Sequence, residues 1–156
     1  MIMKLFEIFI CFAENFVIFF TLNKYFTPKH KNILLFMFLF TFAFVADVVL
    51  GQSQNFGYIT LIAIFISSCL MSIIQLNGKL YSKVIICIVL ITILLISNIL
   101  SISLFSVIRK VSADTVVYDS SIYRVVSLAF SKIVQIILCF LLLITQRKVS
   151  INLNFI

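Results

Sequence analysis

The stretch that most constrains this chain is Val84–Ile108, about 25 residues with no charge, no proline and no glycine. The hydrocarbon core of a bilayer is roughly 30 Å thick, and about 20 helical residues at 1.5 Å each cross it. Because hydrocarbon offers no water to unpaired backbone groups, a segment of this kind has to be helical. The stretch therefore predicts an integral membrane protein.

The composition indicates that lipid, rather than water, is the solvent around the fold. Hydrophobic residues make up 63% of the chain and charged residues 11%, whereas a soluble domain carries about 25% charged residues. The formal net charge is +7, but the basic residues lie in short runs between apolar segments. That arrangement is typical of membrane topology signals. We therefore expect the lipid bilayer as a partner and no binding of nucleic acid.

Polar breaks divide the chain into five apolar spans within one membrane domain, 1–156. An all-α, polytopic transmembrane helical bundle is the predicted fold class. The breaks are Asn23–Asn32, Gly51–Asn55, Asn77–Lys83 and Arg109–Ser121. The predicted spans are 3–22, 33–50, 56–76, 84–108 and 122–146, with a tail at 147–156.

The distribution of lysine and arginine predicts the orientation of the bundle. With the N-terminus outside, seven of these residues lie inside and four lie outside. The positive-inside rule therefore favours the N-terminus outside and the C-terminus inside. Glu7 and Glu14 interrupt what would be the apolar region of a signal peptide, so we expect the first span to be retained. The frequent use of Ile, Phe, Lys and Asn suggests an AT-rich genome and the cytoplasmic membrane of a bacterium.

Two charged residues lie deep within the predicted spans. Glu14 is near the middle of the first span, and Lys132 is about ten residues into the fifth. A charge at the centre of a membrane helix costs about 2.5–3.5 kcal/mol on insertion scales, so each needs a partner or a role. Spans one and five run in the same direction in a five-span bundle, which brings both residues to nearly the same depth. We predict an intramembrane Glu14–Lys132 pair.

Glu7 and Arg124 form a second predicted pair, nearer to the outer surface. Glu7, Cys11 and Glu14 recur at helical spacing and share one face of the first span. Three interpretations of these charges are open. The pairs hold helices together, or they line a polar pocket that receives a ligand or moves a proton, or the side chains snorkel independently to the interface.

Asp47 lies near the outer end of the second span, where Arg109, Arg124 or water are candidate partners.

Serines at 68 and 72, and at 97 and 101, have the small-xxx-small spacing that allows close approach of helices. We interpret these serines as packing positions.

The sequence carries no recognised catalytic signature. It has no GxSxG, Walker, HExxH or GxGxxG motif. Its one histidine, His30, lies in a basic loop, and its four cysteines lie within spans without CxxC spacing. Structural zinc needs four clustered ligands. We therefore expect no enzyme activity, no metal site and no cofactor.

Two patches carry a resemblance to a known family. They are ENFVIFFTLNKYF at Glu14–Phe26 and YRVVSLAFSKIVQIILCFLLL at Tyr123–Leu143. Together they resemble the N-terminal membrane sensor region of GHKL-type sensor histidine kinases, the accessory-gene-regulator-like group. The resemblance implies a multi-pass module with its N-terminus outside that responds to secreted peptides. Such kinases continue into a phospho-acceptor helix and an ATP-binding domain, which this sequence lacks, so the resemblance implies binding without phosphorylation.

If the chain is a sensor-like module, a secreted peptide would be received at the outer surface. The candidate ligand-facing residues are Asp47, Arg109, Lys110, Asp114 and Asp119, although a merely solvated loop is the alternative for the loop residues. Two other functions stay open. The chain is a scaffold that assembles membrane proteins or copies of itself through its span faces, or it is a transport subunit. Transporter folds tend to show repeats and broken spans, which this chain lacks.

Overall fold

The computed structural model describes residues 2–29, 32–50, 57–110, 112, 116 and 122–153, and the predicted all-α bundle is confirmed. No strand occurs within these ranges, apart from one isolated bridge between Pro28 and Leu76. The long helices within these ranges are α1 (Ile2–Tyr25), α2 (Ile33–Leu50), α3 (Gly57–Gln75), α4 (Leu80–Arg109) and α5 (Ile122–Leu153).

Three helices extend beyond the predicted spans at one end of the bundle. Helix α1 runs three residues past the predicted span to Tyr25, and α4 begins at Leu80 rather than at residue 84. Helix α5 continues through the predicted tail as far as Leu153. The physical reason is that hydropathy marks the apolar stretch, whereas a helix continues through polar residues wherever its backbone bonds are satisfied.

Three of the helices are long and apolar enough to cross a membrane: the segments Leu5–Tyr25, Leu80–Arg109 and Arg124–Gln146. The apolar segments Ile33–Val49 and Ile59–Gln75 are shorter. Helix α2 has 18 residues and is therefore about 27 Å long, close to the thickness of the hydrocarbon core.

Helix α1 is the centre of the bundle and contacts all four other helices. Around it, each helix packs against the next along the chain, and α5 returns to pack against α1. Ile18, Phe19 and Leu22 on α1 are completely buried. The Phe19 ring meets Phe40 of α2 edge-on at 5.6 Å between centroids, a favourable aromatic geometry. Because α1 touches every other helix, its inward face decides what the interior contains.

Helices α1 and α5 run parallel. Contacts between them pair Glu7 with Arg124 and Glu14 with Lys132, and the Gln146 side chain donates to the Tyr25 carbonyl at 2.9 Å, so residue numbers rise together along both helices. This is the relative direction that an up-and-down arrangement of five helices requires.

The loop after α1 and the turn after α3 lie together at one end of the bundle. The Lys29 backbone N–H donates to the Gln75 carbonyl at 2.7 Å, and the Asn77 N–H donates to the Thr27 carbonyl at 2.8 Å. Asn32 caps α2, because its side-chain oxygen accepts from the Leu35 N–H at 3.2 Å. These connections and the helix ends beside them therefore lie on one side, which we call the basic end. It carries Lys24, Lys29, Lys79 and Lys83.

Lys83 stabilises the basic end by capping the C-terminus of α3. It is buried, and its ammonium donates to the Leu76 carbonyl at 2.5 Å and to the Ile73 carbonyl at 3.3 Å. The last carbonyls of a helix have no partner within the helix, and a cation there also opposes the negative end of the helix dipole. Residues 80–83, predicted to belong to a turn, are thus the first turn of α4.

We expect Gly78→Ala to lower the free energy of unfolding by about 1–3 kcal/mol. Gly78 has φ of +126°, which side chains strongly disfavour, and an added Cβ would meet the Phe26 ring at 3.3 Å. Detergent-induced unfolding followed by circular dichroism measures the loss. Asn77→Ala, at a neighbouring exposed position, is the control, and equal stability of Gly78→Ala and wild type would contradict this account.

Candidate functional site

The candidate site lies in the half of the bundle away from the basic end. Helix α1 contributes Glu7, Cys11 and Glu14 from one face, because these residues follow at i, i+4 and i+7. Helix α5 contributes Arg124 and Lys132 at positions eight residues apart, which face α1 along the parallel contact. The site is therefore built mainly by two parallel helices and completed by the other three.

Glu14 and Lys132 form the central ion pair. The Lys132 ammonium donates to Glu14 Oε2, and both residues are more than nine-tenths buried. Asn98 of α4 lies on the other side of the ammonium, with its Oδ1 at 3.4 Å from Nζ. The structure therefore brings together the two residues that depth alone paired, and it adds a polar neighbour from a third helix.

Glu7 and Arg124 form the second pair, closer to the end of the bundle. Arg124 Nε is 3.1 Å from Glu7 Oε1, and the side chains are 28% and 17% exposed, respectively. An ion pair with this much exposure contributes little to stability, about 0–1 kcal/mol.

Asp47 is held differently from the sequence expectation. Arg109, Arg124 and water were its candidate partners, but the Asn15 side chain donates to Asp47 Oδ2 at 2.9 Å. The same Asn15 amide donates to the Cys11 carbonyl at 2.9 Å, and the Cys11 thiol is within hydrogen-bonding reach of Asp47. The physical reason is the packing of α2 on α1, which buries the Asp47 carboxylate against Asn15 and Cys11, within electrostatic range of the Glu14–Lys132 pair.

These charges line a half-open cavity of about 260 Å³ that extends from the rim of the bundle inward. All five helices contribute to its wall, with Thr60 and Ile64 from α3 and Leu94 and Asn98 from α4. Charged groups on its wall are Glu7, Glu14, Asp47, Arg124 and Lys132. A concave, mostly apolar site with a few convergent polar groups is the usual form of a ligand pocket.

A second cavity of about 200 Å³ lies between α4 and α5 and shares Asn98, Arg124 and Leu128 with the first. Its wall carries Ser101, Ser127 and Ser131. Ser101 donates to the Ser127 carbonyl, and the two hydroxyl oxygens are 3.0 Å apart. The spacing of serines in α4 thus serves close packing, and it also places hydroxyl groups beside the charged site.

Two of the residues predicted to face a ligand, Arg109 and Lys110, lie at the end of α4. Arg109 is half-buried at the end of α4, and Lys110 is exposed beyond it, in a left-handed backbone conformation with φ of 56°. Neither residue lines the two cavities. Asp114 and Asp119 lie outside the described residues.

The sequence analysis gave no role to three amide side chains, of which Asn15 and Gln135 are buried and Asn98 is half-buried. Asn98 and Asn15 make the contacts above. Gln135, on α5 one turn from Lys132, is 1% exposed, and neither amide atom has a hydrogen-bond partner. An amide within an apolar span is a signal that helical-face analysis would have caught for Gln135, because it follows Lys132 and Leu128 on the same inner face.

No group of three or more His, Cys, Asp or Glu side chains is placed to hold a metal ion within the described ranges. The site is therefore one of charged, amide and hydroxyl groups.

No protein-family model, no curated protein and no solved structure matches the chain.

Proposed function

We propose that this chain is a ligand-binding membrane module of the sensor type, resembling the membrane region of GHKL-type sensor histidine kinases. The observation that carries the proposal is the half-open cavity of about 260 Å³ lined by five charged side chains. Charged groups within an apolar bundle are costly to bury, so a cavity that gathers them favours a binding role over packing alone.

The proposal places the cavity toward the outer side of the membrane. The basic residues of the loop after α1 and the turn after α3 lie at the opposite end of the bundle, and positive residues favour the inside. A secreted peptide would then enter beside Glu7 and Arg124, the two partly exposed charges at the rim. On this proposal the protein resides in a bacterial cytoplasmic membrane.

Binding would be passed on through the packing of the bundle. The chain has no signature of a kinase or of another enzyme. Ligand binding between α1 and α5 changes the contacts of the helix that touches all the others, and a membrane partner or a second copy would register that change through the lipid-facing surfaces.

The experiment is photo-crosslinking of secreted peptides that carry a diazirine group, with the labelled sites mapped by mass spectrometry in membranes containing the protein. We expect labelling on α1 between residues 7 and 14 and on α5 between residues 124 and 132, which form the cavity wall. Labelling confined to the basic end would contradict the proposal.

Two matched tryptophan variants separate the cavity from the lipid-facing surface. Leu128→Trp introduces a large ring at a position that lines both cavities and should abolish labelling. Ile137→Trp, on the same helix at a position that is 52% exposed, should leave labelling at the wild-type level. Equal labelling of the two variants would rule out the cavity as the binding place.

A further inference from the structure

We infer that the cavity takes a ligand with a positively charged group, such as a primary ammonium, next to an apolar body, and that Asp47 is its counter-ion. The inference rests on the proposed function and names the chemical class of the ligand. It concerns a residue that the ion pairs of the site leave out.

Negative charges outnumber positive charges on the cavity wall. The cavity wall holds three carboxylates, Glu7, Glu14 and Asp47, but only two cations. Arg124 is engaged with Glu7, and Lys132 with Glu14. Within the described part of the chain, no lysine or arginine forms an ion pair with Asp47. A buried carboxylate without a cation is costly, so a cationic ligand would restore the balance.

Beside Asp47, one buried hydrogen-bond acceptor has no donor among the described residues. Asn15 is completely buried and uses its amide N–H₂ group for Cys11 and Asp47, while its oxygen Oδ1 has no hydrogen-bond partner. A native interior rarely leaves such an atom unsatisfied. Asn15 does not line the cavity itself, but its amide holds the Asp47 carboxylate, which does. No donor in the described ranges compensates the extra acceptor beside Asp47, and an ammonium at the carboxylate would supply three donors.

Most of the remaining wall of the cavity is apolar. Leu61 and Ile64 of α3 and Leu94 of α4 line the same cavity as Asp47. The volume, about 260 Å³, lies just below the range of about 300–1,000 Å³ typical of pockets for drug-sized ligands. It suits a small amine or a single amine-bearing end of a peptide.

The test uses three probes that share an aromatic body and differ in charge: 2-phenylethylammonium, neutral 2-phenylethanol and anionic 3-phenylpropanoate. Binding is measured by equilibrium dialysis with the full chain in nanodiscs, and empty nanodiscs give the amount that partitions into lipid. We expect saturable binding of the ammonium at least about tenfold tighter than binding of the alcohol, because the charge-assisted bond to Asp47 is available only to the cation.

Asp47→Asn is the matched variant, because it keeps the shape and an oxygen for the Asn15 amide but removes the charge. It should weaken binding of the ammonium by at least about tenfold and leave binding of the alcohol unchanged. The three-probe comparison on wild-type protein needs no variant, so the inference stays testable if Asp47→Asn does not fold.

Failure of the inference is distinguishable from failure of the proposed function. If the alcohol or the anion binds as tightly as the ammonium, and Leu128→Trp blocks that binding, the cavity binds ligands but Asp47 does not select a cation. The same conclusion follows if Asp47→Asn binds the ammonium with wild-type affinity. If no probe shows saturable binding while secreted peptides still label the cavity wall, the inference is contradicted and the proposed function stands. If the peptides also fail to label the wall, both are contradicted.

Discussion

Replacing Glu14 by alanine is expected to lower the free energy of unfolding by about 3–5 kcal/mol, more than Lys83→Met or Gly78→Ala. The change leaves the Lys132 ammonium buried at the centre of the bundle with only Asn98 Oδ1, at 3.4 Å, as a side-chain acceptor. An unpaired charge in this position costs more than the ion pair contributes. The loss is measured by unfolding the purified protein in a titration with a denaturing detergent.

The double variant Glu14→Ala with Lys132→Ala should recover part of this loss, because it removes both buried charges together. Glu7→Ala is the control at the partly exposed pair, and it should cost no more than about 1 kcal/mol. If the double variant is as unstable as the sum of the two single variants, Glu14 and Lys132 are not coupled, and the central ion pair is not an energetic unit.

Replacing Lys83 by methionine is expected to have the second largest effect, a loss of about 2–3 kcal/mol. Methionine keeps a long apolar stem but removes the ammonium that satisfies the Ile73 and Leu76 carbonyls. One of these carbonyls lies in the last turn of α3 and the other directly after it, and both would lose the Lys83 donor. Detergent-induced unfolding measures the change in stability, and hydrogen exchange locates it at the end of α3.

Lys79→Met is the matched control, because Lys79 precedes α4 at the same turn and is exposed. It removes an identical charge, yet it should change stability by less than about 0.5 kcal/mol. If both variants lose the same stability, the effect of Lys83 comes from net charge at the basic end rather than from its bonds to α3.

The central ion pair was predictable from sequence because two simple quantities determine it. Glu14 and Lys132 lie at similar distances from the starts of spans one and five, and a constant helical rise converts those distances into depth. The structure pairs them within a parallel α1–α5 contact. Helix class and approximate limits followed from hydropathy in the same way.

The surroundings of Asp47 were not predictable in this way. Its partner Asn15 lies on another helix, and the contact depends on how α2 is rotated against α1. Helix α2 is apolar almost all round, so its sequence gives little indication of which face points inward. The first turn of α4 was missed for a related reason: Lys83 reads as a polar loop residue until the carbonyls of α3 are seen beside it.

The measurement that tests the central proposal most directly is the side of the membrane on which each end of α4 lies. Lys110→Cys and Asn77→Cys place a thiol just beyond the two ends of this 30-residue helix, both at exposed positions, and wild type reports any labelling of the native cysteines. A membrane-impermeant maleimide is applied to intact cells and then to permeabilised cells. The account predicts that Lys110→Cys is labelled in intact cells and that Asn77→Cys is labelled only after permeabilisation. The reverse result would place the basic end outside and the charged cavity toward the cytoplasm, and would contradict a module that receives secreted ligands.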